Sequence, residues 1–267
     1  LVVTQALLAT LAFSLSASAG YVLNDVLDIS ADRAHPTKRY RPFAARELPL
    51  ALGPVIVIAL VAVSFGLALV MLPSAFAIML GIYFAGTLSY SFYLKRQLLL
   101  DVLVLAGLYT HRILAGGVAT GVQVSAWLLG FSMFFFTSLA FAKRYVELKA
   151  AADNSKIKNR GYVPTDKEMV TSMGTASGYI AALVFMLYVE SAAVRVNYRA
   201  PSILWLILPI LLYWLGRVWL LAGRGQMQDD PVKFALKDFV SMLCGLGIVL
   251  IAMLARFTPP WLSALLP

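Results

Sequence analysis

The sequence predicts an all-α fold, a polytopic bundle of transmembrane helices with eight spans. Hydrophobic residues occupy 61% of its 267 positions and charged residues only 13%, whereas a soluble domain carries about 25% charged residues. The sequence also divides into eight apolar runs, each close to the roughly 20 residues that a helix needs to cross the hydrocarbon layer. This composition excludes an intrinsically disordered chain, and the single cysteine, Cys244, excludes a disulfide scaffold.

The eight runs follow one another along the chain. The first, residues 3–27, is longer than the apolar region of a signal peptide and ends in acidic residues rather than a cleavage site, so we interpret it as a span. Residue 1 is Leu rather than Met, and we expect that an upstream segment has been removed. The other seven runs lie near residues 49–72, 74–93, 98–119, 124–142, 169–190, 201–222 and 239–256.

Basic residues distinguish the two sides of the predicted bundle. The connections after the first, third, fifth and seventh spans hold 18 of the 22 Lys and Arg residues. Because cytoplasmic loops are enriched in Lys and Arg, we predict that these connections face the cytoplasm, in a bacterial plasma (inner) membrane. Arg195 and Arg199 lie on the other side, Arg256 at a helix end and Arg112 inside a span. The net charge of +9 therefore reflects membrane topology, and we expect no nucleic-acid partner.

Acidic residues show the same asymmetry, although the rule for Lys and Arg does not require it. Twelve of the 13 acidic residues, all but Glu190, lie on or near the predicted cytoplasmic face. Loops rich in both signs of charge indicate a polar chamber for a charged ligand and a metal. A solvated loop surface is the alternative interpretation.

The end of the first span carries a stripe of oxygen ligands. In a continuous helix Asn24, Asp28 and Asp32 share one face, while Asp25 is turned away by about 100°. Mg²⁺ binds carboxylate and carbonyl oxygens and often substrate phosphates as well, so the stripe predicts a Mg²⁺ site that holds a diphosphate. One cysteine and two histidines give no support to a zinc site. The alternative, an acidic helix end, does not explain carboxylates at the rim of an apolar span.

Three cations follow this stripe in the sequence. Lys38, Arg39 and Arg41 come a few residues later, and Pro36 and Pro42 restrict the loop that carries them. Carboxylates for a metal beside cations for phosphate oxygens suit displacement chemistry at a phosphate ester. The alternative explanation of these three residues is the general excess of Lys and Arg in cytoplasmic loops.

Several motifs resemble a known family. The segment NDVLDISAD resembles the first Asp-rich motif, NDxxDxxxD, of the UbiA-type intramembrane prenyltransferase superfamily. The following HPTKRYRP resembles the branch typified by decaprenyl-phosphate phosphoribosyltransferase. Further matches, which extend the resemblance over nearly the whole chain, are YSFYLK (90–95), HRILAGG (111–117), FAKRYVELK (141–149) and DDPVKFALKD (229–238).

The second charged segment separates the branches of this family. Members that act on aromatic acceptors carry a second Asp-rich motif after the sixth of nine spans, and the resemblance places the missing span upstream of residue 1. Here the corresponding loop begins with Lys143, Arg144, Tyr145 and Glu147, a KRxxE pattern. Basic residues supply donors for an additional phosphate rather than a second metal site. A plain ion pair between Arg144 and Glu147, at i and i+3 of a helix, is the alternative.

The resemblance implies a single catalytic domain over residues 1–267 that transfers 5-phosphoribose from phosphoribosyl diphosphate to a polyprenyl (decaprenyl) phosphate, with Mg²⁺ as cofactor. Its product would feed sugar donors for cell-wall biosynthesis. It also implies roles for individual residues: catalysis by Asp28, Asp32 and Glu147, metal binding by Asn24, Asp28 and Asp32, and substrate binding by Lys38, Arg39, Arg41, Tyr90, Lys95, Arg112, Lys143, Arg144 and Tyr145.

Two other functions stay open at this point. An aromatic prenyltransferase that uses an isoprenyl diphosphate would share the first motif but carry an acidic second one. A transporter would distribute charge at the bilayer midplane or contain inverted repeats. The number of chains in the assembly also stays open, with a homo-oligomer among the choices.

Four weaker signals remain, and the first two have two interpretations each. Lys95 ends the third span, where its amine suits either lipid headgroups or a phosphate. Arg112 lies about 21 Å into its span and reaches either a buried site or the far interface. Residues 229–231 are expected to cap the last span, and Cys244 to be an inert core residue.

Overall fold

A computed structural model describes residues 2–34, 38–150, 161–227 and 230–258. Within these ranges the chain forms helices and no β-strand. The long helices are α1 (Val2–Leu27), α3 (Leu52–Met71), α4 (Ser74–Phe92), α5 (Leu100–Thr120), α6 (Ala126–Ala150), α7 (Lys167–Glu190), α9 (Ile207–Arg224) and α11 (Phe239–Phe257). The short ones are α2 (Ile29–Arg33), α8 (Ala192–Asn197) and α10 (Pro231–Lys237).

The eight long helices are the membrane spans. Each is long and apolar enough to cross a bilayer. The spans of α7 and α9 include the 3₁₀ turns that precede these helices, Pro164–Asp166 and Pro201–Leu206. The predicted all-α fold with eight spans is therefore confirmed. The predicted bounds agree with the helices to within a few residues, except at α6. That helix continues to Ala150, so the residues from Lys143 to Lys149 lie on its last two turns instead of in a loop.

Caps mark the helix ends as the sequence would suggest. Gly121 and Gly225 end α5 and α9 at φ of +70° and +74°, a conformation that glycine adopts without steric cost. Asp230 accepts a hydrogen bond from the Val232 backbone N–H at 2.9 Å and so caps α10, not the last span. The cap of α11 is Asp238, whose carboxylate accepts from Ser241 N at 2.8 Å. Asp229, which we expected to share that role, lies outside the described residues.

The chain forms two compact units, and the first contains α1 to α5. In this unit α1 packs along α3, and α4 along α5. Phe13, Phe76 and Tyr83 form its aromatic core. Small residues allow the backbones to approach: a Cβ at Gly53 would lie 2.6 Å from Cγ2 of Val26. This close contact fixes the end of α1, where the acidic motif begins, against the start of α3.

The second unit contains α6 to α11. Here α6 packs along α7, and α9 contacts both α7 and α11. Two tryptophans of α9 tie the helices together: Trp214 donates to Ser241 Oγ at 2.9 Å, and Trp219 donates to Ser138 Oγ at 3.1 Å. Gly174 makes room for the Trp219 ring, because a Cβ there would overlap it. The result is a fixed frame for the charged end of α6.

Candidate active site

The acidic motif of the first unit begins with two side chains that share one lysine. Lys95 Nζ donates to Asp28 Oδ2 at 2.6 Å and to Asn24 Oδ1 at 3.0 Å. The 3₁₀ turn Leu94–Arg96, directly after α4, places Lys95 inside the unit, where only 4% of it is exposed. Lys95 therefore does not extend to lipid headgroups. Burying its charge is tolerable because the Asp28 carboxylate neutralises it.

The other two carboxylates share an arginine. Arg41 Nη1 donates to Asp25 Oδ1 at 2.7 Å and to Asp32 Oδ2 at 2.9 Å. The loop that carries Arg41 is closed by a hydrogen bond from Arg33 Nε to the Ala44 carbonyl at 3.2 Å. Phe43, two residues after Arg41, is buried and anchors the same loop.

Asp28 interrupts the helix without breaking the stacking of the motif. α1 ends at Leu27 and α2 starts at Ile29, yet Asp28 N still donates to Asn24 O at 2.9 Å and Asp32 N to Asp28 O at 2.9 Å. Asn24 and Asp28 both bond Lys95. Asp32 instead contacts the arginine that also holds Asp25.

Asp25 was not among the predicted metal ligands, because helical geometry turns it away from Asp28. The signal that could have found it is its spacing from Asp32. Seven residues make nearly two turns, so the two side chains lie within about 20° of the same helix face. Asp101, fully buried in the first turn of α5, is another carboxylate that the motif search did not single out.

The donor set of this cluster suits a hard divalent cation. One amide and three carboxylates are oxygen ligands of the kind that Mg²⁺ and similar ions take. Among the described residues no three acidic, histidine or cysteine side chains converge on one metal-sized point. Instead, Lys95 and Arg41 neutralise the carboxylates in pairs. The residues fit a metal in kind, and metal binding would require these ion pairs to loosen.

The remaining residues predicted near this motif differ in their surroundings. Lys38 and Arg39 are exposed in the 3₁₀ turn Lys38–Tyr40, and Arg39 donates to the Tyr40 hydroxyl at 2.6 Å. Tyr90 is half-buried near the end of α4. Pro36 lies outside the described residues. Of the three predicted loop cations, Arg41 forms ion pairs with two of the carboxylates, Asp25 and Asp32.

The charged end of α6 forms the second cluster, in the second unit. Arg144 is fully buried and forms an ion pair with Glu147 one turn later. Lys143 Nζ donates to Asp230 Oδ2 at 2.7 Å, and Lys149 donates to the Gly223 carbonyl. Tyr145 packs edge-on against Trp219, with ring centroids 6.1 Å apart. The Arg144–Glu147 pair considered as an alternative is present, but it involves a buried guanidinium rather than a surface one.

Asp230 was not predicted to be the partner of Lys143. Burial by itself would raise the pKa of the Asp230 carboxyl, but the adjacent Lys143 ammonium and the backbone N–H groups of α10 outweigh burial and lower that pKa. The carboxylate therefore stays ionised and holds Lys143 in place. The 87 positions that separate the two residues left no local pattern from which to predict the pair.

Arg112 lies inside α5, where it contacts aromatic rings. Its Nη2 donates to the Tyr83 hydroxyl at 2.5 Å, and its guanidinium lies 5.1 Å and 5.0 Å from the ring centroids of Tyr83 and Tyr109. The neighbouring His111 bonds the Met79 carbonyl at 2.8 Å. Arg112 therefore points into the first unit rather than along the span to the far interface.

Most of the chain matches a known protein family. The model of the UbiA prenyltransferase family matches residues 2–243. The chain belongs to that family. It is accordingly an integral-membrane transferase, of a family whose members act on lipid and diphosphate-type substrates and generally use a divalent metal.

Relatives at moderate identity carry several names. The chain is 43% identical to a Sinorhizobium fredii protein named uncharacterized protein y4nM. The match covers 88% of this chain but only about half (46%) of that relative. It is 35% identical to the nodulation protein NoeC of Azorhizobium caulinodans, over 91% of this chain and 80% of the relative. It is 32% identical to a decaprenyl-phosphate phosphoribosyltransferase of Mycobacterium tuberculosis, over 92% of this chain and 80% of the relative. The resemblance to the phosphoribosyltransferase branch is thus confirmed at the level of sequence similarity.

Proposed function

We propose that this UbiA-family protein transfers 5-phosphoribose from phosphoribosyl diphosphate to a polyprenyl phosphate, with release of diphosphate. The observation that carries the proposal is the basic end of α6. By the resemblance, Lys143 and the buried Arg144 correspond to the position of the second carboxylate motif in the aromatic branch of the family. The relatives named decaprenyl-phosphate phosphoribosyltransferase support the same substrate class.

Guanidinium and ammonium groups recognise phosphate, which this reaction supplies at several positions. Phosphoribosyl diphosphate carries a 5-phosphate in addition to its diphosphate, and the acceptor is itself a phosphate. An isoprenyl diphosphate with an aromatic acceptor offers only the diphosphate. In our proposal Lys143 and Arg144 bind the 5-phosphate or the lipid phosphate, and Glu147 orients Arg144 or contacts the ribose. Tyr145, which packs on Trp219, keeps this end of α6 rigid.

The acidic cluster of the first unit binds the leaving group. Asn24, Asp28 and Asp32 would hold Mg²⁺, which when bound supplies positive charge to the diphosphate oxygens. Arg41, Lys38 and Arg39 donate hydrogen bonds to the same diphosphate, and Lys95 turns from Asn24 and Asp28 to the diphosphate as its ion pair loosens. Asp25 joins this set through its shared contact with Arg41.

The transfer itself is a substitution at C1 of the ribose. The bond between C1 and the diphosphate oxygen breaks, and a phosphate oxygen of the lipid forms the new C1–O bond from the opposite face. Positive charge grows at C1 as diphosphate leaves with its electron pair. Because the attacking oxygen is already anionic, no residue has to remove a proton from it. The mechanism therefore needs no histidine or cysteine nucleophile.

The spans determine how the two substrates arrive. In our proposal the polyprenyl tail stays in the bilayer and keeps its phosphate at the rim of the spans. Phosphoribosyl diphosphate is soluble and enters from the cytoplasm, on the side with most of the basic residues. In this proposal the protein acts in the bacterial plasma membrane, and its product would supply sugar donors to cell-wall biosynthesis.

The test is to reconstitute the full chain in vesicles with Mg²⁺ and follow label into the lipid phase. One reaction contains polyprenyl phosphate and labelled phosphoribosyl diphosphate. The other contains labelled 4-hydroxybenzoate and an isoprenyl diphosphate. We expect lipid-phase label only from the ribosyl donor. Label only from the benzoate would overturn the proposal and assign the chain to aromatic prenyl transfer, and label from neither would also contradict it.

A further inference from the structure

Three arginines surround one cavity at the far end of the second unit. The cavity has a volume of about 610 Å³ and is lined by Arg195, Val196, Asn197, Tyr198, Arg199, Arg256 and Phe257. It lies where α7 and α11 end. Lys143 and Asp230 lie instead where α6 ends and α10 begins. A span of 19 residues such as α11 is about 28 Å long, so the cavity and the basic end of α6 are separated by nearly the thickness of a bilayer.

The backbone brings these arginines together from distant parts of the sequence. Ala200 N donates to the Ala255 carbonyl at 3.0 Å, and both alanines are buried. Arg199 directly precedes the first member of this hydrogen-bonded pair, and Arg256 directly follows the second. The segments rest on a core that includes Val194 and Leu204, which are also buried. The arginines are therefore held side by side by a packed frame.

The positive charge of this cavity has no internal counterion among the residues that the structure describes. Arg195, Arg199 and Arg256 are all exposed, and none of them forms an ion pair with a described carboxylate. Glu190, the acidic residue at this end of the unit, is exposed and likewise outside any such pair. Three guanidiniums in one cavity repel one another, and an anion bound between them would relieve that repulsion. Arginine binds phosphate oxygens through two parallel hydrogen bonds, which makes a phosphate the matching anion.

Apolar side chains on the same cavity indicate what the phosphate is attached to. Val196 is 86% exposed and Phe257 is 70% exposed, and each directly follows one of the arginines. Phe257 is also the last residue of the span α11, which places the cavity at the boundary between hydrocarbon and water. A soluble anion gains nothing from these two side chains, whereas the acyl chains of a lipid can pack on them.

We infer that this cavity binds the phosphate headgroup of an anionic membrane lipid. The arginines bind the phosphate, and Val196 and Phe257 contact the adjoining acyl chains. The inference does not depend on the proposed function, because the cavity lies at the opposite end of the unit from Lys143 and Arg144. It also explains why these arginines occur on the side of the spans that is otherwise poor in basic residues.

Lipid binding to the purified full chain tests the inference. Delipidated protein in detergent is titrated with phosphatidylglycerol and with phosphatidylcholine, and native mass spectrometry counts the bound molecules. The variant replaces Arg195, Arg199 and Arg256 by Gln. The matched control removes three exposed charges at the other end of the same unit by changing Arg224, Lys233 and Lys237 to Gln.

We expect the first phosphatidylglycerol to bind the wild type and the control alike, and at least tenfold more weakly to the triple arginine variant. Replacing the three arginines by Lys should weaken binding less than replacing them by Gln, because Lys keeps the positive charge. Some weakening is still expected, because Lys cannot form two parallel hydrogen bonds to a phosphate. Should the triple Gln variant not fold, Arg199→Gln and Arg256→Gln singly should each weaken binding severalfold.

Two results would overturn the inference. One is equal phosphatidylglycerol binding by the wild type and the arginine variants. The other is thermal stabilisation of the wild type by inorganic phosphate or diphosphate to the same degree as by phosphatidylglycerol, which would make the cavity a site for a soluble anion.

Discussion

The two charged clusters occupy corresponding places in the two units, but one helix end is mainly acidic and the other mainly basic. Each unit begins with a helix of about seven turns, α1 or α6, and the cluster lies at the end of that helix. At the end of α1 the helix and its extension supply the carboxylates, while the cations Arg41 and Lys95 come from other segments. At the end of α6 the helix supplies the cations and one carboxylate, Glu147, while the second carboxylate, Asp230, comes from elsewhere.

This difference teaches which ligand each cluster can hold. Carboxylates on a helix end can bind a metal once their ion pairs with Lys95 and Arg41 loosen. Cations on a fixed helix end can bind phosphate directly. Both clusters also bury a cation beside a carboxylate, Lys95 beside Asp28 and Arg144 beside Glu147. Removing the carboxylate of such a pair takes an ion-pair partner away from a buried cation, which costs stability.

The largest effect should follow from removing a carboxylate of the first cluster. Asp28→Asn and Asp32→Asn should each reduce Mg²⁺-dependent turnover by at least 100-fold, because a neutral amide binds the cation weakly. Glu47→Gln is the control, since Glu47 is an exposed carboxylate of the same loop. Turnover is measured over a range of Mg²⁺ concentrations. Kinetics like those of the wild type in the Asp variants would remove the metal assignment.

The second cluster should respond in substrate affinity more than in turnover. Arg144→Ala and Lys143→Ala should raise the KM for phosphoribosyl diphosphate about tenfold and change kcat less. Arg144→Ala should also cost about 2 kcal/mol of stability, because it removes a fully buried side chain together with its ion pair to Glu147, whose side chain is 30% exposed. Steady-state kinetics and thermal unfolding measure the two effects, and Arg224→Gln serves as the control. A fall in kcat at constant KM would assign Arg144 to the transition state instead.

Acid should weaken the second cluster through Asp230. The pKa of this carboxyl is lower in the folded protein than in the unfolded chain, so its contribution to stability is complete above the unfolded value of about 3.9. That contribution is lost as the pH falls through the lower folded value. Asp230→Asn should therefore unfold at a lower temperature than the wild type at pH 7, and the difference should shrink below about pH 4. A constant difference down to pH 3 would show that the Lys143 ion pair does not stabilise the fold.

The smallest effect concerns the packing that positions the first cluster. Gly53→Ala places a methyl group 2.6 Å from Cγ2 of Val26, so the end of α1 must shift, at a cost of about 1–2 kcal/mol. Gly66→Ala on the same helix meets open space and should be neutral or slightly stabilising. Thermal unfolding of the two variants gives the comparison. Equal behaviour would mean that α1 and α3 adapt freely, and that packing does not fix the acidic motif.

Local sequence patterns predicted the spans and the first pair of the motif. Apolar runs define the spans because the bilayer requires them, and Asn24 and Asp28 meet because helical periodicity places residues four apart on one face. The end of α6 was placed too early because charged residues after an apolar run look like a loop, although here they continue the helix. The shared contacts of Asp25 and Asp32 with Arg41, and of Lys143 with Asp230, depend on how loops return to the helices. No local pattern encodes that path.

The most direct test of the central claim is donor competition in reconstituted vesicles. Wild-type protein receives polyprenyl phosphate, 4-hydroxybenzoate, Mg²⁺ and equal concentrations of phosphoribosyl diphosphate and an isoprenyl diphosphate, and mass spectrometry identifies the lipid product. We predict that the wild type forms phosphoribosyl polyprenyl phosphate and that Asp28→Asn does not. Arg144→Ala should form little of this product until excess phosphoribosyl diphosphate restores it. A prenylated benzoate as the product would contradict the assignment of the basic end of α6 to phosphate recognition.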